Sequence, residues 1–227
     1  MTTQVDAIRG LFVRFRELRS TGRGTSTHAL AEFLSRYQQE ITTSMHSRRP
    51  FNVLDVTGVG ADEVQHSSII AWLLAPYESH GCGTLFLEQF LSAAGIALPG
   101  SDLSGCRVRT EFVGHEAIID ILVYRPNDFV IYIENKTFAA EQPQQVDREY
   151  RDMILLADVV RVSLDRAFAV FLTPSGRPPV SGDPKRWRTI SYRQLARQFE
   201  GIQPNLGGKV GFFVEDLVGQ YDRWSSA

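Results

Sequence analysis

Apolar residues recur at helical spacing through the first part of the chain and then change period. Ile8, Leu11, Phe12, Phe15 and Leu18 repeat every three or four residues over 6–19, and Leu30, Phe33, Leu34, Tyr37 and Ile41 do so over 27–45. This spacing predicts two amphipathic helices, parted by the Gly/Ser/Thr break at 20–25. A basic connector at 47–50 leads into a loop over 51–60 that ends Gly58-Val59-Gly60. Asp62 is a plausible N-cap for a helix running to about Leu74 and stopping before Pro76. His80-Gly81-Cys82-Gly83 reads as a turn, and 84–95 as a helix carrying Leu85, Phe86, Leu87, Phe90 and Leu91.

After that the pattern becomes that of strands. Segments 108–113, 117–124 and 129–138 are candidate strands, the last two joined by the turn signal Arg125-Pro126-Asn127-Asp128. A helix is expected over 141–156 and a strand over 167–173. The Gly/Pro-rich stretch 174–184 follows, then a short strand at 187–191 and helices over 192–199 and 209–224. Ile118–Leu122 and Val130–Glu134 are apolar on both faces, as in central strands covered on both sides. The whole predicts an α/β fold with a mixed sheet flanked by helices.

One hairpin carries charge where charge is costly. If its turn centres on Asn127, Asp120 lies opposite Glu134, and directly opposed residues share a face with Cβ atoms about 4.5–5.5 Å apart. Lys136, two residues on, projects from that same face. Buried charges must be paired or must bind a metal, and two close carboxylates repel unless a cation lies between them. Magnesium suits the need, since it takes oxygen ligands and commonly one or two protein carboxylates. A salt-bridge cluster that only supports the fold is the alternative, but buried ion pairs add little stability. A slip of one residue in register would send Asp120 to the other face.

Bulk properties narrow the picture. The 227 residues suit one domain, or a domain with a small helical appendage. A net charge of −2 argues against a polybasic binder. The charge is uneven, however: residues 1–50 hold eight arginines against four acids, so the remainder is net acidic. A basic N-terminal region could grip a phosphate backbone, and a solvated helix face explains it equally well. Two cysteines without CxxC spacing make neither a disulfide framework nor a zinc site. With no signal-like stretch and no membrane-length apolar run, a soluble cytoplasmic protein is expected.

At Ile118-Ile119-Asp120-Ile121 and Ile133-Glu134-Asn135-Lys136 the sequence resembles the PD-(D/E)xK nuclease superfamily. Upstream, Asp62-Glu63-Val64-Gln65-His66-Ser67, Ala71-Trp72-Leu73-Leu74-Ala75-Pro76 and His80-Gly81-Cys82-Gly83 resemble a bacterial branch with a DE-x-x-HS, AWLL-x-P, HG-x-G block. Gln142 and Gln145 match the glutamines that open its next helix, where a helix N-terminus also favours an anion. Phe168–Thr173 and Ile190-Ser191-Tyr192-x-x-Leu195 fit the remaining strands and helix. The resemblance spans roughly 52–195 and does not extend to residues 1–50. The tyrosine often found four residues after the second glutamine is Glu149 here, with Tyr150 beside it, which puts a role for Tyr150 in doubt.

The resemblance implies a restriction-endonuclease-like core over 51–227, with a four- to five-stranded mixed sheet; the helical spacing over 1–50 adds an N-terminal helical extension, a candidate for dimerisation or DNA contact. It implies a nuclease that hydrolyses phosphodiester bonds with Mg2+, Mn2+ substituting. Asp120, Glu134 and Glu63 are the expected metal ligands, joined by the backbone carbonyl of Asn135. Lys136 and Gln145 complete the catalytic set. A lysine beside a metal in a partly dry site can have a lowered pKa, which suits proton transfer. His66, one helical turn from Glu63, lines the substrate with Ser67 and Gln142; Glu63 alternatively reads as a first-turn helix acid, and His80 as turn structure. DNA is favoured over RNA, in a bacterial defence, restriction or repair setting, with a homodimer or a regulatory protein as further partners and no membrane. The rival reading is a catalytically silent nucleic-acid-binding or interaction module on the same fold, or a nuclease activated only by a partner.

Overall fold

The computed structural model describes residues 51–224 and Ser35. The chain divides into two units, Met1–Phe51 and Asn52–Ala227, and the sheet belongs to the second. The two helices expected over 6–19 and 27–45, and with them the N-terminal extension, lie outside the described residues.

Five strands form one mixed sheet in the order β1-β2-β3-β4-β5. They are β1 (Arg107–Val113), β2 (Ile118–Arg125), β3 (Phe129–Asn135), β4 (Ala167–Thr173) and β5 (Trp187–Ser191). The first three run antiparallel as a meander, and β4 and β5 add parallel to β3. Helix α4 (Gln145–Val159) makes the crossover from β3 to β4. The other helices are α1 (Val53–Val56), α2 (Glu63–Leu74), α3 (Leu85–Ala93), α5 (Tyr192–Ile202) and α6 (Gly208–Trp224).

Each face of the sheet has its own core. Ile121, Val123, Ile131, Ile133, Val170 and Leu172 pack with residues of α2, α3, α5 and α6. Leu122, Val130, Tyr132, Ala169 and Phe171 pack with Val146, Met153 and Ala157 of α4. Every residue of β3 is buried, which explains its lack of alternation: helices cover both sides, and full burial of each Val or Ile contributes roughly 1.5–3 kcal/mol.

Two local expectations are corrected. The 51–60 segment is not all loop, because the Asn52 side chain accepts from the amides of Leu54 and Asp55 and caps the one-turn α1. Asn52 also donates to the Asp216 carbonyl at 2.6 Å, fastening α1 to α6. The helix expected from 141 starts only at Gln145, because Gln144 takes a left-handed conformation (φ 55°). Before it, Glu141 is drawn away to the 177–181 loop, where it meets Arg177 at 2.6 Å and the amides of Val180 and Ser181.

Candidate active site

The β2–β3 ladder pairs Ile121 with Ile133 and continues to Arg125 with Phe129, the register that a turn centred on Asn127 predicts. Regular pairing stops one step short of Asp120. On its other side, β1 pairs Thr110 with Ile121 and Phe112 with Ile119 and skips the step between. Opposite that skipped position Glu111 has φ 47°, a left-handed conformation uncommon and costly in a strand. Asp120 reaches β3 through its side chain instead: the Asn135 amide donates to Asp120 Oδ2 at 2.8 Å.

Glu134 is 1% exposed. Its Oε1 lies 2.7 Å from Lys136 Nζ and also accepts from the Gln145 side-chain amide. Lys136 Nζ lies 2.8 Å from Glu63 Oε1 as well. Glu63 opens α2, where Asp62 caps the helix by accepting from the Gln65 amide, and Glu63 Oε2 accepts from the Thr137 amide at 3.2 Å. One ammonium therefore joins the first turn of α2 to the end of β3. Burial alone would lower the pKa of Lys136, but Glu134, Glu63 and Asp120 outweigh it and raise the pKa above the usual lysine value. Without a metal, these carboxylates hold Lys136 as a cation.

The odd-numbered side of β3 carries a different set of contacts. The Asn135 side chain donates to Ser67 Oγ at 2.9 Å and to the Glu63 carbonyl at 3.3 Å, and accepts from the Tyr192 hydroxyl. Ser67 is buried and donates to the Glu63 carbonyl at 2.8 Å. His66 is fully buried; its Nε2 meets the Gly60 carbonyl at 2.9 Å and its ring lies 4.6 Å from that of Trp224. Burial lowers its pKa. The structure thus brings Asp120, Glu134, Lys136, Glu63 and Gln145 together, and puts Ser67 and His66 behind them as supports for α2. His80 closes a turn, between the Ala75 carbonyl and the Cys82 amide.

Helix α4 supplies the rest. Gln145 Oε1 accepts from the Gln142 amide at 3.0 Å, so Gln142 steadies Gln145 while its own side chain is at the surface. One turn further, Glu149 is 0% exposed, and its carboxyl has Gln145 and the Glu134 carboxyl as hydrogen-bonding neighbours. Glu134 Oε2 meets no cation or amide donor, only neighbouring acids. Glu149 joins this group without having been expected there; its signal in the sequence is the four-residue spacing from Gln145, which puts both on one helix face.

Charge at this centre is out of balance. Burial, with the charges of Asp120 and Glu149, pushes the Glu134 carboxyl well above the usual range. Burial raises Asp120 to about 6 and Glu149 to about 7. Among the described residues no three or more acidic, His or Cys side chains are arranged as a ready cation cage. The donor set still fits a divalent cation. Mg2+ commonly takes only one or two protein carboxylates and completes its shell with water and substrate phosphate, and Glu134 Oε2 and the Glu149 carboxyl lack a positive partner. Two clefts are lined by neighbours of the centre, though by none of Asp120, Glu134 and Glu63. One, of about 400 Å³, is lined by Gln142, Gln145, Arg148 and Glu149 with His115. The other, of about 390 Å³, is lined by Lys136, Thr137 and Phe138 with Arg177. Among the described residues no helix is long and apolar enough to cross a membrane.

A family model described as the PD-(D/E)XK nuclease superfamily matches residues 51–205. That span runs from the entry to α1 to the end of α5 and contains every side chain of the carboxylate centre. No curated protein and no solved structure matches the chain.

Proposed function

The chain belongs to the PD-(D/E)XK nuclease superfamily, and on that premise we propose that it is a Mg2+-dependent phosphodiesterase acting on nucleic acid, DNA before RNA. The observation that carries this reading is the meeting of Asp120, Glu134, Glu63 and Lys136 beside clefts, with a buried carboxylate oxygen that meets no cation or amide donor.

Asp120 and Glu134 would hold the cation, with Glu63 and the Asn135 carbonyl as further oxygen donors, and Mn2+ would substitute. A divalent ion held there would supply an acidified water and offset charge on the phosphate. Lys136, held as an ammonium, donates to a phosphoryl oxygen and orients the attacking water; its charge stabilises the pentacovalent transition state. Gln145 fixes the Glu134 carboxylate through Oε1 and leaves Oε2 for the ligand. Glu149 behind it adds negative charge that strengthens the hold on a divalent ion. A bacterial cytoplasmic role in defence, restriction or repair, with a homodimer or a regulatory protein as partner, goes with this reading.

A second reading is favoured by one contact: Lys136 bridges Glu63 and Glu134 at 2.8 and 2.7 Å, a closed arrangement that suits a silent module or a nuclease opened only by a partner. Two measurements separate the readings. Linear, circular and single-stranded DNA and RNA are incubated with Mg2+ and Mn2+, and Mg2+ is titrated into the protein by calorimetry. Metal-dependent cleavage of a nucleic acid is expected. Carboxylate-dependent metal binding without cleavage of any of the four would favour the partner-activated form, and neither binding nor cleavage would reject hydrolysis.

A further inference from the structure

Two residues beyond Lys136, Phe138 presents a large aromatic ring to solvent and is 61% exposed. The ring is not loose. It stands edge-on to Trp224, with centroids 5.7 Å apart and planes at 78°. Trp224 is itself set against His66 at 4.6 Å and Tyr192 at 4.8 Å. Phe138 is thus the outermost ring of an aromatic cluster that is buried behind it. With Lys136 and Thr137 it walls the cleft of about 390 Å³, a volume in the range of small-ligand sites.

A second lining residue of that cleft adds an independent observation. Thr173, the last residue of β4, lines it, is 1% exposed, and has an Oγ1 with no hydrogen-bond partner. A buried hydroxyl without a partner costs roughly 1–3 kcal/mol. Arg177 also lines the cleft, but its guanidinium is committed to Glu141 at 2.6 Å and lies over the Phe171 ring at 5.4 Å. The cleft therefore offers an aromatic plate and a hydroxyl, with Lys136 shared between it and the carboxylate centre. That combination fits a flat, polar-edged heterocycle attached to a phosphate.

We propose that this cleft is a nucleobase subsite, in which an unpaired base beside the scissile phosphate stacks on Phe138 and turns a polar edge to Thr173 Oγ1. The inference rests on the phosphodiesterase reading and narrows its substrate to single-stranded or locally unpaired nucleic acid. A base inside a duplex is stacked on both faces and paired on its edge, so it offers neither contact without being extruded. A hydroxyl both donates and accepts, so the subsite tolerates any base, as aromatic stacking does.

The test uses the full chain without divalent metal and a single-stranded oligonucleotide carrying one 2-aminopurine, read by fluorescence. The wild type is expected to quench the probe and to bind the single strand in preference to the same sequence as a blunt duplex. Phe138→Ala is expected to lose the quenching and to weaken binding about tenfold, in line with the ~1–3 kcal/mol of one stacked base. Phe138→Trp is expected to keep both. Equal affinity and equal quenching in Phe138→Ala would overturn the subsite. So would a dimer in the wild type that Phe138→Ala dissolves while oligonucleotide binding is unchanged, which would assign the ring to a second copy of the chain. Cleavage of the same oligonucleotide with Mg2+ is scored separately. Phe138-dependent quenching without cleavage leaves the base subsite on a silent or partner-activated nuclease; cleavage with Phe138-independent binding overturns the subsite and leaves the hydrolytic reading standing.

Discussion

Two neighbouring residues of β3 face opposite ways and meet opposite treatment. Asn135 points into the side held by α2 and α5, where its side-chain amide donates to Ser67 and the Glu63 carbonyl and accepts from Tyr192. Glu134 points toward α4, where one oxygen is shared by Lys136 and Gln145 and the other meets no cation or amide donor, beside a second buried acid, Glu149. Both residues are buried, so exposure does not explain the contrast. Buried polar groups are nearly always satisfied, and exceptions need a reason. The Asn135 side is a finished joint that sets the height of α2 against the sheet. The Glu134 side is unfinished in the protein alone, and a cation is what would complete it.

The largest expected effect comes from removing the charged pair on the unfinished side. Lys136→Ala and Glu134→Ala should each lower kcat for phosphodiester cleavage by about a thousandfold or more, since each removes a group aimed at transition-state charge or its cation. Circular dichroism should show both variants folded. Cleavage at wild-type rate by both would reject the assignment of this centre.

A smaller effect, in stability, follows from the raised carboxylates. Asp120 and Glu149 titrate at about 6 and about 7 in the folded chain, against roughly 4 for exposed acids. Between those limits the native state holds protons that the unfolded chain has released, so stability falls as pH rises. In EDTA, the unfolding midpoint should therefore decline from pH 5 to pH 8, and Mg2+ at pH 8 should recover it. Glu149→Gln should flatten the decline and be more stable than wild type at pH 8. A wild-type midpoint that climbs over this range without metal would show that these groups are not held protonated.

Much of the contrast across β3 could be read from residue order. The hairpin register follows from the position of Asn127 and the period of two along each strand, and it carries Asp120 to the neighbourhood of Glu134. The five strands and their helices follow from the change of period after residue 95. Other features depended on facts that no local pattern holds. The approach of Glu149 depends on the rotation of α4 over the sheet, which is set by Val146, Met153 and Ala157 meeting Leu122 and Tyr132. That Ser67 and His66 brace α2 is decided by Tyr192, Tyr221 and Trp224, more than a hundred residues away in sequence. The late start of α4 reflects Glu141 being drawn to a loop some forty residues on. The charge on Lys136 depends on three carboxylates from three elements, which a reading of one motif treats as a site for metal alone.

The smallest effect is expected on the finished side, and its character matters more than its size. Tyr192→Phe removes the hydroxyl that donates to Asn135 Oδ1 and leaves that oxygen buried without a partner. Stability should fall by about 1–2 kcal/mol, the cost of an unsatisfied buried acceptor. Because the Tyr192 hydroxyl stays protonated throughout, its burial raising its pKa well above the ordinary tyrosine value, this loss should be the same at pH 5 and pH 8 and indifferent to Mg2+. Cleavage should drop about tenfold, because Asn135 holds α2 through Ser67 and the Glu63 carbonyl and so holds the Glu63 carboxylate against Lys136. Denaturant unfolding at the two pH values, with and without Mg2+, reads the difference directly. If the Tyr192→Phe loss followed pH and metal as the Glu149 effect does, the two sides of β3 would be one coupled network, and the division between a finished joint and an open one would fail.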